Sequence, residues 1–371
     1  MTRALCLVAL SVLAAGCGSA APHRLRVGAV EDVAKAGDAK AAMQLAAGSG
    51  FDVVALSSTW TRGLDAPAAG ELESLRRAAA AAVDAGVAPV VAIYSFSSST
   101  PLDESGREEF AAYAAAIVHA LPQLHAVIVG NEPNLNLFWL PQFTPDGQDA
   151  AARAFEALLA QTYDAVKKAR SDVEVIGAGL AARGSDDPQA ARQTHSPTRF
   201  LLDLGAAYRA SGRRRPIMDA LSLHPYGETP RVPPTLRHPH STSLGIADYE
   251  KVRELLGRAF GGTAQDGRDL PIVYGEYGVE TRIPPAKAAL YSGSEVVEAV
   301  PEQTQARYYR SALELAACQP TVELLLFFHV QDEPRLEGLQ SGTRYADGSP
   351  KTSMAPVRAA IRACAHPCCG G

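Results

Sequence analysis

Ala126-Val127-Ile128-Val129-Gly130-Asn131-Glu132-Pro133-Asn134 reads as a short apolar strand that stops at a glycine and gives way to a polar, proline-closed turn. Four apolar residues without polar alternation describe a strand covered on both faces, as in a parallel sheet. The same pattern recurs along the chain. Strands are predicted at Leu25 to Val30, Phe51 to Leu56, Ala88 to Tyr94, Ala126 to Gly130, Val173 to Ala178, Ala220 to His224, Ile272 to Glu276 and Val322 to His329.

Between these runs lie Ala-rich segments with helical spacing. Leu72, Leu75, Ala79 and Val83 mark one face of a helix over Glu71 to Ala85, which Gly86 terminates. Further helices are predicted over Arg107 to Leu121, Ala150 to Arg170, Thr198 to Ser211, Tyr249 to Phe260 and Pro301 to Ala317. Strict alternation of β and α units over residues 25–365 predicts a single-domain α/β fold, a closed (β/α)8 TIM barrel. An open doubly wound sheet is the competing arrangement. Gly177-Ala178-Gly179-Leu180-Ala181-Ala182 mimics a dinucleotide-binding turn, but the Arg183 to Pro188 segment that follows is loop where such a turn requires a helix.

A barrel carries its chemistry at the C-terminal ends of its strands. There the sequence places Ser57-Ser58-Thr59-Trp60, Ser95-Phe96-Ser97, Asn131-Glu132-Pro133-Asn134, His224-Pro225-Tyr226 and Glu276-Tyr277. Glu132 and Glu276 each end an apolar strand. Two carboxyl groups about 5 Å apart are what hydrolysis of a glycoside with retention needs, one to protonate the leaving oxygen and one to attack the anomeric carbon. His224 and Tyr226 are the donors available to keep the attacking carboxylate ionised. Taken alone, Asn131-Glu132-Pro133 is also an ordinary strand exit and His224 an ordinary core histidine. The sequence holds no Gly-x-Ser-x-Gly elbow and no phosphate loop.

Val-Gly-Asn-Glu-Pro-Asn at 129–134, His-Pro-Tyr at 224–226 and Tyr-Gly-Glu-Tyr-Gly at 274–278 together resemble glycoside hydrolase clan A, which includes the cellulase-like family five and the xylosidase-like family thirty-nine. The resemblance implies a retaining (β/α)8 hydrolase that needs no cofactor or metal. It implies Glu132 as acid/base, Glu276 as nucleophile, Asn131 as a donor to the sugar 2-hydroxyl, Tyr226 as a donor to Glu276, and His224 as the group that orients the pair. The chain departs from the family-five pattern in lacking an Arg on strand two, a His after strand three and a Trp on strand eight. Phe328 or His329, Trp139 and Trp60 are the candidates for the missing sugar platform. Asp347-Gly348-Ser349-Pro350-Lys351 resembles the segment that closes many clan members.

With 47% hydrophobic and 20% charged residues in 371, the chain can bury a large core, and a net charge of -5 without basic blocks excludes a nucleic-acid footprint. The expected partner is a carbohydrate and the expected state a monomer. Arg3, the apolar run from Ala4 to Ala15 and the small residues that follow have the layout of an export signal, too short to span a bilayer. Leu13-Ala14-Ala15-Gly16-Cys17 resembles a bacterial lipobox. This implies a lipoprotein signal peptide over 1–16, acylation of Cys17, a linker over 17–24 and an extracytoplasmic, lipid-anchored location; plain cleavage near Ala20-Ala21 is the alternative. Cys318 is expected to bridge to Cys364, Cys368 or Cys369, the last two in a Cys-rich tail over 366–371. The alternative function on the same barrel is a surface glycan-binding lipoprotein with weakened turnover.

Overall fold

The computed structural model describes residues 24–265 and 267–364. Eight parallel strands, β1 (Arg26–Val30), β2 (Val53–Thr59), β3 (Ala88–Tyr94), β4 (Ala126–Val129), β5 (Glu174–Ala181), β6 (Ala220–His224), β7 (Ile272–Tyr277) and β8 (Val322–Phe328), pair in sequence order and close on themselves. β1 meets β8 along the register from Arg26↔Leu324 to Val30↔Phe328, which excludes the open sheet. Helices α1 (Ala39–Ser49), α2 (Ala69–Asp84), α3 (Glu104–Ala120), α4 (Ala151–Ala169), α5 (Pro197–Ser211), α6 (Tyr249–Phe260), α7 (Glu302–Ala317) and α8 (Met354–Cys364) follow the strands in turn. α1 escapes the periodicity because alanines dominate it, leaving little contrast between its two faces; its ends are nonetheless clear, with Asp38 capping the start and left-handed Gly50 the end.

Two cores arise from strand alternation. Ala126, Ile128, Val273, Leu324 and Leu326 point into the barrel, while Val127, Val129, Ile272, Leu325 and Phe327 point out against the helices. Three register shifts break this alternation, one at the start of β7 against β8 and two near the strand ends where the polar residues lie. On β7 the pairs Tyr274↔Leu325 and Tyr277↔Phe327 place three steps opposite two. Tyr274 and Tyr277 both belong to the outer core, so the extra residue leaves Gly275 and Glu276 together on the inner side. Without the bulge, Glu276 would share the outward parity of Ile272 and Tyr274. The other strand-end shift lies on β5 between Gly177 and Leu180, at the stretch that mimics a dinucleotide-binding turn.

Cys318 is disulfide-bonded and Cys364 is a free, buried thiol. Of the expected bridges, the one to Cys364 is therefore excluded. Cys17 with its signal, Cys368, Cys369 and the tail over 366–371 lie outside the described residues.

Candidate active site

Glu132 stands just beyond β4. Gly130 has φ 96°, and a Cβ there would lie 2.7 Å from the Phe155 ring, so the chain can leave β4 at this angle only with glycine. Glu132 itself has φ 43°, a left-handed conformation costing about 1–2 kcal/mol for a residue with a side chain. Several contacts hold it there. Its amide donates to the Gly179 carbonyl of the β5 bulge at 2.8 Å. Asn134, fully buried, donates to the carbonyls of His195 at 3.0 Å and Ala181 at 3.3 Å and accepts from the Ala181 amide at 3.0 Å. Gln142 donates to the Pro133 carbonyl at 3.0 Å. His195, in the loop before α5, gave no signal in the sequence because its partner lies 61 residues away.

His224 ends β6, buried to 3% exposure, and sits where side chains are missing on both neighbouring strands. A Cβ on Gly179 would lie 3.0 Å from its Nε2, and one on Gly275 would lie 3.2 Å from the same atom and 2.3 Å from Ser222 Oγ. Its Nδ1 lies 3.2 Å from Glu132 Oε1 and 3.7 Å from Glu276 Oε2. The two carboxylate oxygens are therefore less than about 7 Å apart. That bound admits the spacing of about 5 Å at which one carboxyl group can serve as nucleophile and the other as acid. The Tyr226 hydroxyl donates to Glu276 Oε2 at 3.1 Å.

The charges in this group are coupled. Burial raises the pKa of Glu276 and the Glu132 charge adds to the rise, while His224 and Tyr226 pull it down; the net is above the usual carboxyl range. Burial lowers that of His224, but Glu276 and Glu132 outweigh it and raise the imidazole, favouring its protonated form. Tyr226 is raised well above the ordinary phenol by burial and by both carboxylates, so it stays a neutral donor. Glu132 is hydrogen-bonded to the imidazole, while Glu276 lies at ion-pair distance from the same nitrogen and accepts from the Tyr226 phenol. This arrangement can present one carboxylate as a nucleophile and the other as a proton carrier.

These residues line a cleft of about 510 Å³ that also takes in Arg183, Glu228, Pro230 and Glu280. Asn131 lies half-buried at the same strand end. Trp60 and Trp139 are corrections: both are buried in the core, Trp60 edge-on to Phe110 with its indole donating to the Leu64 carbonyl at 2.7 Å, Trp139 edge-on to Phe155. Neither face is open to a sugar. Phe328 is half-buried against His329, whose Nδ1 is 3.0 Å from the Val30 carbonyl. His329 lines a neighbouring cavity of about 480 Å³ with Glu31 and Asp32 rather than the cleft of Glu132 and Glu276. An aromatic group the sequence reading passed over is Tyr94, Phe96 and Phe138 at the β3–β4 rim. Phe96 is exposed and stacks on Phe138, and the Tyr94 hydroxyl lies within electrostatic reach of Glu276.

Burial lifts Glu31, Glu174 and Glu280 each to about 7. Between about 4.5 and 7 the folded chain therefore keeps protons that the unfolded chain has released, and stability falls as pH rises through that window. His224 acts in the same direction, since its raised pKa stabilises the fold below the unfolded value and that contribution is lost above the folded one. His329, lowered by burial, opposes. Thermal melts are expected to give a Tm about 3 °C or more higher at pH 5 than at pH 7.5. A Tm that rises over that interval would contradict the burial of these carboxyls.

No protein-family model matches the chain, and no curated protein does. Solved structures share its fold. The GH5_18 protein from Streptomyces cattleya in complex with GlcNAc is 16% identical over 93% of this chain and 81% of its own, with a TM-score of 0.61. The exo-β-1,4-mannosidase Op5Man5 from Opitutaceae bacterium strain TAV5 is 17% identical over 92% of this chain and 60% of its own, with a TM-score of 0.58. A GH5-4 broad specificity endoglucanase from a Clostridium is 11% identical over 88% and 85%, with a TM-score of 0.54. The neighbours are thus GH5 glycoside hydrolases built on the same eight-stranded barrel, and at these identities the likeness is one of fold.

Proposed function

We propose that this chain is a retaining O-glycoside hydrolase acting on a polysaccharide or oligosaccharide. One observation carries the reading: Glu132 after β4 and Glu276 on β7 come within 3.2 and 3.7 Å of a single His224 nitrogen in an open cleft. In the first step a Glu276 oxygen attacks the anomeric carbon while Glu132 gives its proton to the departing oxygen. This yields a glycosyl ester on Glu276 and a free alcohol. In the second step Glu132, now ionised, takes a proton from water as the water displaces Glu276, and both carboxyls return to their starting states. Tyr226 and His224 stabilise the Glu276 carboxylate before attack and on departure. To Asn131, half-buried at the end of β4, the proposal assigns the hydrogen bond to the sugar 2-hydroxyl.

The test is covalent. A panel of activated 2-deoxy-2-fluoro glycosides of different sugars, incubated with the full chain, is expected to add one glycosyl mass, mapped to Glu276 by peptide sequencing. Labelling of another residue would assign the nucleophile elsewhere, and no label across the panel with glycan binding intact would favour the binding-protein reading. The proposal also places the protein outside the cytoplasm on an acylated Cys17, supported by the basic, apolar and small-residue pattern from Arg3 to Cys17.

A further inference from the structure

Glu280 has no part in the two steps above, yet it lines the same cleft, four residues beyond Glu276 on the loop leaving β7. It is 8% exposed, and its Oε2 has no hydrogen-bond partner among the described residues. A buried acceptor left unpaired costs about 1–3 kcal/mol, more if charged, and this one borders the open cleft, where a ligand can complete it. Its surroundings say what kind of ligand. Burial is the largest influence on Glu280, followed by the repulsion of Glu295, Asp332 and Glu333, which together hold its pKa at about 7. Around the cleft itself stand Glu132, Glu228 and Glu276, against Arg183 and His224. Arg183 donates to the Tyr226 carbonyl, Arg282 donates to the Ala299 carbonyl, and Lys351, within electrostatic reach of Glu280, pairs with Asp332 at 2.7 Å. A neutral hydroxyl would satisfy Oε2 without relieving that repulsion. An ammonium group does both, because it brings a donor and the compensating charge together.

We propose that Glu280 is a specificity-determining residue whose carboxylate receives the protonated amine of an amino sugar, making the substrate a glycan with free amino groups. This rests on the hydrolase reading for the word substrate and on the wall of the cleft for the amine. The test uses methyl β-glycosides of glucosamine and galactosamine, their N-acetylated forms and the parent neutral sugars, with binding to the full chain measured by calorimetry at pH 7. Wild type is expected to bind an amino glycoside at least about tenfold more tightly than its N-acetyl and neutral counterparts, the scale of one hydrogen bond to a charged group. Glu280→Gln, which keeps the shape and removes the charge, is expected to erase that preference.

Amino glycosides bound no more tightly than their N-acetyl forms in wild type, absence of binding included, would overturn the proposal without reference to any variant. So would a preference that survives Glu280→Gln. The fluorinated-glycoside label on Glu276 keeps the two readings apart. Labelling without amine preference defeats only this inference, whereas amine preference without labelling defeats the hydrolase and leaves Glu280 as an amino-sugar receptor.

Discussion

Glu276→Ala is expected to lower kcat/KM on the order of 10⁴-fold or more, the scale seen when a covalent nucleophile is removed, while the barrel stays folded. The side chain is a fifth exposed and accepts from Tyr226, so its loss opens a small space lined by two donors, His224 and Tyr226. Azide fits that space. Added to the variant with a glycosyl fluoride, it is expected to attack the anomeric carbon directly and release a glycosyl azide of inverted configuration. Glu132→Ala should behave differently. It removes the proton carrier but leaves Glu276 able to form the ester from a substrate whose leaving group needs no proton, so azide then displaces Glu276 and the product keeps the original configuration. The two outcomes, read by proton NMR of the products, assign the roles separately. Retained azide product from the Glu276 variant and inverted product from the Glu132 variant would reverse the assignment, and wild-type turnover in Glu276→Ala would end it.

Lys351→Ala is expected to cost about 3–5 kcal/mol, the cost of leaving a fully buried charge without its partner, seen as a Tm lower by about 5 °C. Lys351 and Asp332 both have side chains with no solvent exposure and meet at 2.7 Å. The ammonium also donates to Thr281 Oγ1 at 2.6 Å and to the Gln340 carbonyl at 3.0 Å, so one side chain ties together the loop after β7, the loop after β8 and the segment before α8. Asp332 further accepts from the Tyr291 hydroxyl and the Gly342 amide. Burial still lifts Asp332 to about 6 with Lys351 beside it, so without Lys351 it must take up a proton or admit water. The pair as a whole need not be stabilising. Lys351→Met combined with Asp332→Leu is expected to recover most of the loss, because both desolvation costs vanish together. A single variant within 1 kcal/mol of wild type in denaturant melts would show that the pair is solvated.

By itself the sequence determined the order of the eight strands, six of the helices, and the four side chains Glu132, His224, Tyr226 and Glu276 at the mouth. These are local facts: a short apolar run rich in β-branched residues and bounded by turn signals reads as a covered strand, and a polar residue at the C-terminal end of such a strand sits at the barrel's rim. The Asn-Glu-Pro and Gly-Glu-Tyr segments were legible for that reason. What the tertiary structure decided depends on partners distant in the chain. The β7 bulge that turns Glu276 inward is visible only in the register against β8, and the clamp on Glu132 needs Ala181 and His195. Trp60 and Trp139 carry the right ring for a sugar platform, but Phe110 and Phe155 cover them. Lys351 was readable as part of a closing segment, not as the cation of a buried pair 19 residues away. Glu280 had no motif at all, since a buried Oε2 without a hydrogen-bond partner among the described residues is defined by what the surrounding structure fails to place beside it. Propensity and periodicity act over a turn or a strand and so fix elements and their ends; desolvation, charge pairing and aim act across space, and only the closed barrel brings those groups together.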